Sequence, residues 1–278
     1  MAINELLKEG LKYLENSEYT NPFFEVRMIL SKLLGKDISY LLEHDRDEIN
    51  INIQNKFFEI LKRRNNGEPL QYIFGETEFY GNSFYIDKNV LIPRNDTEIS
   101  IEALIKIFKD NKIDSFLEIG SGSGIVTVTM AMNNENTHFT AVDISDYAIE
   151  NTMKNIKRYN LNNVEVIKSN LFTNINKSYD IIYSNPPYIR TEEISNLQTE
   201  VKDFEPVMAL DGGEDGLYFY RKIIDKLDKY LNINGYIVFE IGHDQAADLK
   251  MLLKDYDPIV LKDLSGKDRV VIGKKGSK

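Results

Sequence analysis

From about Ile101 onward the chain alternates short β-rich apolar runs with helical stretches, and this alternation leaves few folds open. Strands are expected over Ile113–Ile119, Thr137–Val142, Val164–Lys168, Tyr179–Ser184 and Tyr236–Ile241. Helices are expected over Gly124–Met132, Ser145–Tyr159, Gly216–Leu231 and Ala246–Leu253. Elements of this length in this order imply parallel strands joined by crossover helices, a doubly wound α/β sheet. Two closing runs, Ile259–Leu264 and Arg269–Ile272, are separated only by Ser265-Gly266-Lys267-Asp268. That spacing suits an antiparallel hairpin at one edge. The expected fold class is therefore α/β: a seven-stranded Rossmann-like sheet with an antiparallel edge hairpin. The tail from Lys274 to Lys278 is expected to fray.

The preceding residues follow another period. Leu6, Leu7, Leu11 and Leu14 recur at helical spacing. Asn21-Pro22 reads as an N-cap with proline at the first helical position. Phe23, Val26, Ile29, Leu30 and Leu33 then line one face, and Gly35 stops the helix. A third stripe runs through Ile53, Phe57, Ile60 and Leu61 to Arg64 and ends at Asn65-Asn66-Gly67. No catalytic constellation occurs here, so 1–74 is expected to be a small all-helical domain that assists with substrate. Phe79, Tyr80, Phe84, Tyr85 and Ile86 around Gly81-Asn82 read as a β-hairpin. It makes 75–93 a docked connector, aromatic rather than flexible. The remaining domain is 94–278.

Composition removes several classes of chemistry. With no cysteine in 278 residues, disulfides and thiolate sites are excluded. His44, His138 and His243 are scattered and no metal site is expected. The N-terminus lacks the basic start and apolar core of a signal peptide. No apolar run is long enough to span a bilayer. A cytoplasmic protein without membrane contact is expected. The net charge of −10 argues against binding nucleic acid through phosphate contacts alone.

The chemistry gathers where strands are expected to end. The first strand runs into Glu118-Ile119-Gly120-Ser121-Gly122-Ser123-Gly124. Alternate glycines permit a tight turn and close backbone approach to a ligand, and the following helix N-terminus offers free N–H groups. Asp143 ends the next strand, 23 residues after Gly120, where an acid can accept bonds from ribose hydroxyls. A nucleoside-containing cofactor follows. The Gly-x-Gly-x-Gly spacing departs from the dinucleotide pattern Gly-x-Gly-x-x-Gly, and no lysine follows to make a Walker-type phosphate loop. The fourth strand runs into Asn185-Pro186-Pro187-Tyr188. Proline fixes φ and restricts the residue before it. The Asn185 side-chain oxygen and the Pro186 carbonyl thus become two stiff acceptors, suited to a planar NH2 group. The same cluster could instead be a turn that ends the strand.

Glu118 to Gly124 with Asp143 resembles the cofactor site of class I S-adenosylmethionine-dependent methyltransferases. Asn185-Pro186-Pro187-Tyr188 resembles the motif of those that methylate planar amide or amino nitrogens. Gly67-Glu68-Pro69-Leu70-Gln71-Tyr72-Ile73, Glu78-Phe79-Tyr80-Gly81, Leu91-Ile92-Pro93-Arg94, Glu205-Pro206, Ala209-Leu210 and Asp215-Gly216-Leu217 narrow the resemblance to the HemK/PrmC family. These are peptide chain release factor N5-glutamine methyltransferases. Asn170 departs from the family, which more often has aspartate there near the adenine.

The resemblance implies S-adenosyl-L-methionine as cofactor, held by Glu118, Gly120, Ser121, Gly122, Ser123, Gly124, Asp143, Asn170, Leu171 and Asn185. It implies a release factor as protein substrate, methylated on the glutamine of its Gly-Gly-Gln loop. Asn185, Pro186 and Tyr188 are the expected catalytic residues. Asn185, Pro186, Pro187, Tyr188 and Phe79 are expected to line the glutamine slot, although Phe79 reads equally well as hairpin core. The alternative is a DNA adenine-N6 methyltransferase, since the same acceptors could hold an exocyclic NH2. Such an enzyme must extract its base from the stack and needs phosphate contacts. The acidic chain argues against it, and direct DNA binding is not expected.

Overall fold

A computed structural model describes residues 1–14 and 21–276. Residues 15–20 and 277–278 lie outside the described residues. The helices are α1 (Ile3–Leu14), α2 (Pro22–Leu34), α3 (Ile38–Glu43), α4 (Ile51–Asn65), α5 (Leu70–Phe74), α6 (Thr97–Asp110), α7 (Ile125–Met132), α8 (Asp146–Arg158), α9 (Thr199–Lys202), α10 (Tyr218–Ile224), α11 (Leu227–Tyr230) and α12 (Ala246–Leu252). The strands are β1 (Glu76–Phe79), β2 (Asn82–Tyr85), β3 (Ser115–Ile119), β4 (His138–Asp143), β5 (Val164–Lys168), β6 (Tyr179–Ser184), β7 (Leu231–Glu240), β8 (Ile259–Lys262) and β9 (Asp268–Lys274). They form two units: Met1–Phe74 with Gln198–Phe204, and Gly75–Leu197 with Glu205–Lys278.

In the helical unit Ile3, Leu6, Leu14, Val26, Ile29, Leu30, Phe57 and Leu61 make the core. The Asn21 side chain caps α2 by accepting the Phe24 N–H at 3.3 Å. Gly35 closes that helix in the left-handed region at φ 62°. Phe23 departs from the expected apolar face. It is 61% exposed and lies under the Arg27 guanidinium, 3.4 Å from its ring centroid. In the first turn of α2 this cation–π contact takes the place of core packing. Gln198–Phe204 belongs to this unit although its sequence neighbours are in the other. Buried Arg64 pairs there with Glu200 and, at 2.8 Å, with Glu25.

The other unit holds a seven-stranded sheet in the order β5-β4-β3-β6-β7-β9-β8. Strands β3 to β7 are parallel, and β9 runs antiparallel between β7 and β8. Successive side chains leave a strand on opposite faces. Accordingly Leu117, Ile182, Ile237 and Phe239 join one buried cluster, and Phe116, Ile181, Tyr183 and Val238 join the other. Apolar cover on both faces is why the central strands read as continuous hydrophobic runs. The single helix expected over Gly216–Leu231 is instead α10 followed by α11. Leu231 itself already pairs with Tyr179 as the start of β7.

The β1–β2 hairpin turns at Tyr80-Gly81, both with positive φ (48° and 73°), as a type I′ turn requires. Phe79 and Phe84 are buried in the sheet unit's core. Among the described residues no helix is long and apolar enough to cross a membrane.

Candidate functional site

Strand β3 pairs with β4 on one side and β6 on the other, so the strand order reverses between β3 and β6. In open α/β sheets the crevice at the carboxyl ends of such a reversal is where ligands bind. Ile119 and Ser184 are opposite one another in the register, and the Ser184 hydroxyl donates to the Ile119 carbonyl at 2.7 Å. The glycine loop and the Asn-Pro-Pro-Tyr segment therefore leave the sheet side by side. A cavity of about 350 Å³ opens there.

Gly120, Gly122 and Gly124 all adopt left-handed backbone, with φ of 76°, 54° and 75°. Their roles then divide. A Cβ on Gly120 or Gly122 would meet nothing within 4 Å, so these two leave room for a ligand to approach the backbone. A Cβ on Gly124 would lie 2.7 Å from Thr152 Cγ2, so this glycine allows the loop to seat on α8. Gly120 and Gly122 line the cavity. Ser121 and Ser123 are buried: the Ser121 hydroxyl is 3.2 Å from Thr152 Oγ1, and the Ser123 carbonyl accepts from α8.

Asp143 lines the cavity from the end of β4. Its Oδ2 accepts the Gly122 N–H at 2.9 Å, and its Oδ1 accepts the Ser145 N–H at 2.9 Å. Burial pushes its pKa above the ordinary value, against the opposing pull of these N–H donors. Each oxygen retains capacity for a further donor. Glu118 lies behind the loop, not on the cavity. Its Oε2 accepts the Thr127 N–H at 3.0 Å and the Thr127 hydroxyl, tying β3 to the first turn of α7. Burial drives its carboxyl up to about 8.

Asn170 and Leu171 line the cavity beyond β5. Leu171 takes φ 51°, uncommon for a branched side chain, and the Ser169 hydroxyl holds its carbonyl at 2.8 Å. Pro186 and Pro187 also line the cavity. Asn185 is half-buried between Ser184 and Pro186. Tyr188 packs its ring against the core on the α10 face, and burial pushes its phenol pKa up. Phe79 does not reach the cavity; it is 4% exposed within the hairpin core. Among the described residues no group of three His, Asp or Glu side chains could hold a metal ion.

Further residues of the cavity were not singled out from the sequence for a site role: Val90 and Leu91, Ile144, Pro206 and Met208, and Phe219 and Lys222. Leu91 and Pro206 stand in recognisable motifs, which were the available signal. Behind the loop, Asn151 and Asn155 lie one turn apart on α8, both fully buried. Their Nδ2 groups donate to the Tyr85 carbonyl and to the Ser123 carbonyl, at 2.9–3.1 Å. Asn155 Oδ1 accepts the Tyr85 N–H, and Asn151 Oδ1 the Asp87 N–H, each at 2.8 Å. These two amides join the hairpin to the glycine loop.

A family model for the PrmC N-terminal domain matches residues 5–75, and one for the methyltransferase small domain matches residues 92–202. The release factor glutamine methyltransferase of Clostridium botulinum is 38% identical, with 99% of this chain and 100% of that protein covered. The enzyme of the same name from Fusobacterium nucleatum is 39% identical over 99% of this chain and 79% of its own length. A crystal structure of a methyltransferase from Pyrococcus furiosus shares the fold. Its TM-score is 0.54 at 22% identity, covering 80% of this chain and 99% of that one.

Proposed function

The chain belongs to the release factor glutamine methyltransferase family, and from that premise we propose that it methylates the side-chain nitrogen (N5) of the glutamine in the Gly-Gly-Gln loop of peptide chain release factors. The observation that carries this reading is the Ser184–Ile119 bond at 2.7 Å. It fixes Asn185, which opens one loop, beside Gly120, which opens the other, and Pro186 lines the same cavity as Gly120 and Gly122.

S-adenosyl-L-methionine, when bound, supplies an electrophilic methyl group on a sulfonium centre. The residues fit it: Gly120 and Gly122 leave backbone open to a ligand, Asp143 can accept ribose hydroxyls, and Leu171 offers an apolar contact to the adenine. Asn185 Oδ1 and the Pro186 carbonyl accept the two hydrogens of the substrate amide. An amide nitrogen is a poor nucleophile because its lone pair is delocalised into the carbonyl. Holding both N–H groups favours a pyramidal nitrogen and aims the lone pair. The fixed dipoles then stabilise positive charge developing on nitrogen, and alignment contributes up to roughly 7–11 kcal/mol in favourable systems. No base is required before transfer; the extra proton leaves afterwards to water.

The setting is the cytoplasm, where release factors act. Transfer to adenine N6 of DNA is not favoured, because full-length relatives carry the release factor name. The test is labelled methyl transfer to a purified release factor, to its loop Gln→Ala variant, and to DNA. Label on the wild-type factor alone is expected; equal label on the Gln→Ala factor, or label on DNA only, refutes the reading.

A further inference from the structure

We propose that Gln245 is a positioning residue for the reaction: it sets the Asn185–Tyr188 segment in its reactive shape by gripping the Tyr188 carbonyl. The assignment rests on the methyl-transfer reading above. Gln245 is 3% exposed. Its Oε1 accepts the Gly242 N–H at 2.9 Å. Its Nε2 donates to the Tyr188 carbonyl at 3.1 Å and to the Gly216 carbonyl at 3.1 Å. The amide orientation follows from its partners, two carbonyls on one side and an N–H on the other. One side chain thus joins the end of β7, the loop before α10 and the segment after β6.

That loop encloses the segment closely. A Cβ on Gly216 would run into the Tyr188 carbonyl oxygen and stand 2.7 Å from Gln245 Nε2. A Cβ on Gly212 would stand 2.7 Å from the Pro187 carbonyl oxygen and 2.7 Å from Tyr188 Cα. Ile189 donates to the Leu210 carbonyl at 3.0 Å and accepts from Gly212 at 2.8 Å. Between the Pro186 carbonyl, which receives the substrate amide, and the Tyr188 carbonyl, which Gln245 holds, lies Pro187. Proline fixes φ, which removes one of the torsions that could absorb a displacement at Tyr188 before it reaches Pro186. A misplacement of about 1 Å far from the chemistry can cost about 10²-fold in rate.

The test compares full-length wild type with Gln245→Glu and Gln245→Met. The first keeps the shape and the Oε1 acceptor but replaces both donated bonds with repulsion. The second removes the donors without adding charge, and is read alone if the first does not fold. Measured are kcat and KM with a purified release factor, S-adenosylmethionine Kd by calorimetry, and amide hydrogen exchange. The expected result is kcat lower by about 10²-fold, cofactor Kd within twofold, and faster exchange confined to 185–191 with 119–124 unchanged. Wild-type kcat, or cofactor affinity falling in step with kcat, overturns the assignment. If the wild type transfers no methyl to the release factor, the functional reading has failed, while the exchange data still report whether Gln245 holds the segment.

Discussion

Ser184 donates its hydroxyl to the Ile119 carbonyl at 2.7 Å, across the point where the strand order reverses. The bond lies one residue before Gly120 on one strand and one before Asn185 on the other. Both halves of the site depart from it. Ser184→Ala leaves a buried carbonyl short of a donor, a loss of about 1–3 kcal/mol. Denaturant unfolding is expected to show that loss, with kcat reduced more than cofactor affinity. An unchanged kcat would mean that the two loops hold their places without it.

Asn185 and Asp143 are expected to separate catalysis from binding. Asn185→Ala removes one of the two acceptors proposed for the substrate amide and should abolish measurable transfer while S-adenosylmethionine still binds. Asp143→Ala removes a charged acceptor, a loss of about 1.5–3 kcal/mol, or roughly tenfold to a hundredfold in Kd. Calorimetry and labelled transfer read both. Near-wild-type methylation by the Asn185 variant would remove that residue from catalysis.

Gly120→Ala and Gly124→Ala carry similar backbone strain, about 1–2 kcal/mol for a left-handed L-residue. Only the Gly124 variant also drives its Cβ into Thr152, at 2.7 Å. It is therefore expected to unfold at lower denaturant than the Gly120 variant. The Gly120 variant should show the larger loss of cofactor affinity, since its Cβ enters open space on the cavity. Equal midpoints for the two would remove the packing role from Gly124.

Glu118 and Glu240 give stability a pH dependence. Burial raises their carboxyls to about 8 and about 7, from an ordinary 4.5. Both bind a proton more tightly folded than unfolded. Their contribution is complete below about 4.5 and is lost as pH rises through about 7 to 8. Glu118→Gln keeps an oxygen for Thr127 but cannot ionise. The wild-type Tm should fall more steeply from pH 5 to pH 8.5 than that of Glu118→Gln, followed by circular dichroism. Parallel curves would show that folding does not raise the Glu118 carboxyl above its unfolded value.

Much of the site was legible in the sequence because its devices act locally. Glycines that need positive φ, prolines that stiffen their neighbours, and an acid closing a strand declare themselves within a few residues. Alternating strand and helix periods determined the sheet and the edge along which Gly120, Asp143 and Asn185 would lie. The motif between Glu118 and Gly124 could not show which residues line the cavity: Gly120 and Gly122 do, while Glu118, Ser121 and Gly124 pack behind the loop. Nor could it resolve Phe79, equally plausible as slot wall or core until the hairpin closed over it. Tertiary structure alone decided the supports. Asn155 meets Tyr85 across 70 residues, and Gln245 meets Tyr188 across 57. An asparagine or glutamine is ordinary in sequence. Its role comes from which distant backbone groups the fold buries beside it, and burial makes those hydrogen bonds obligatory.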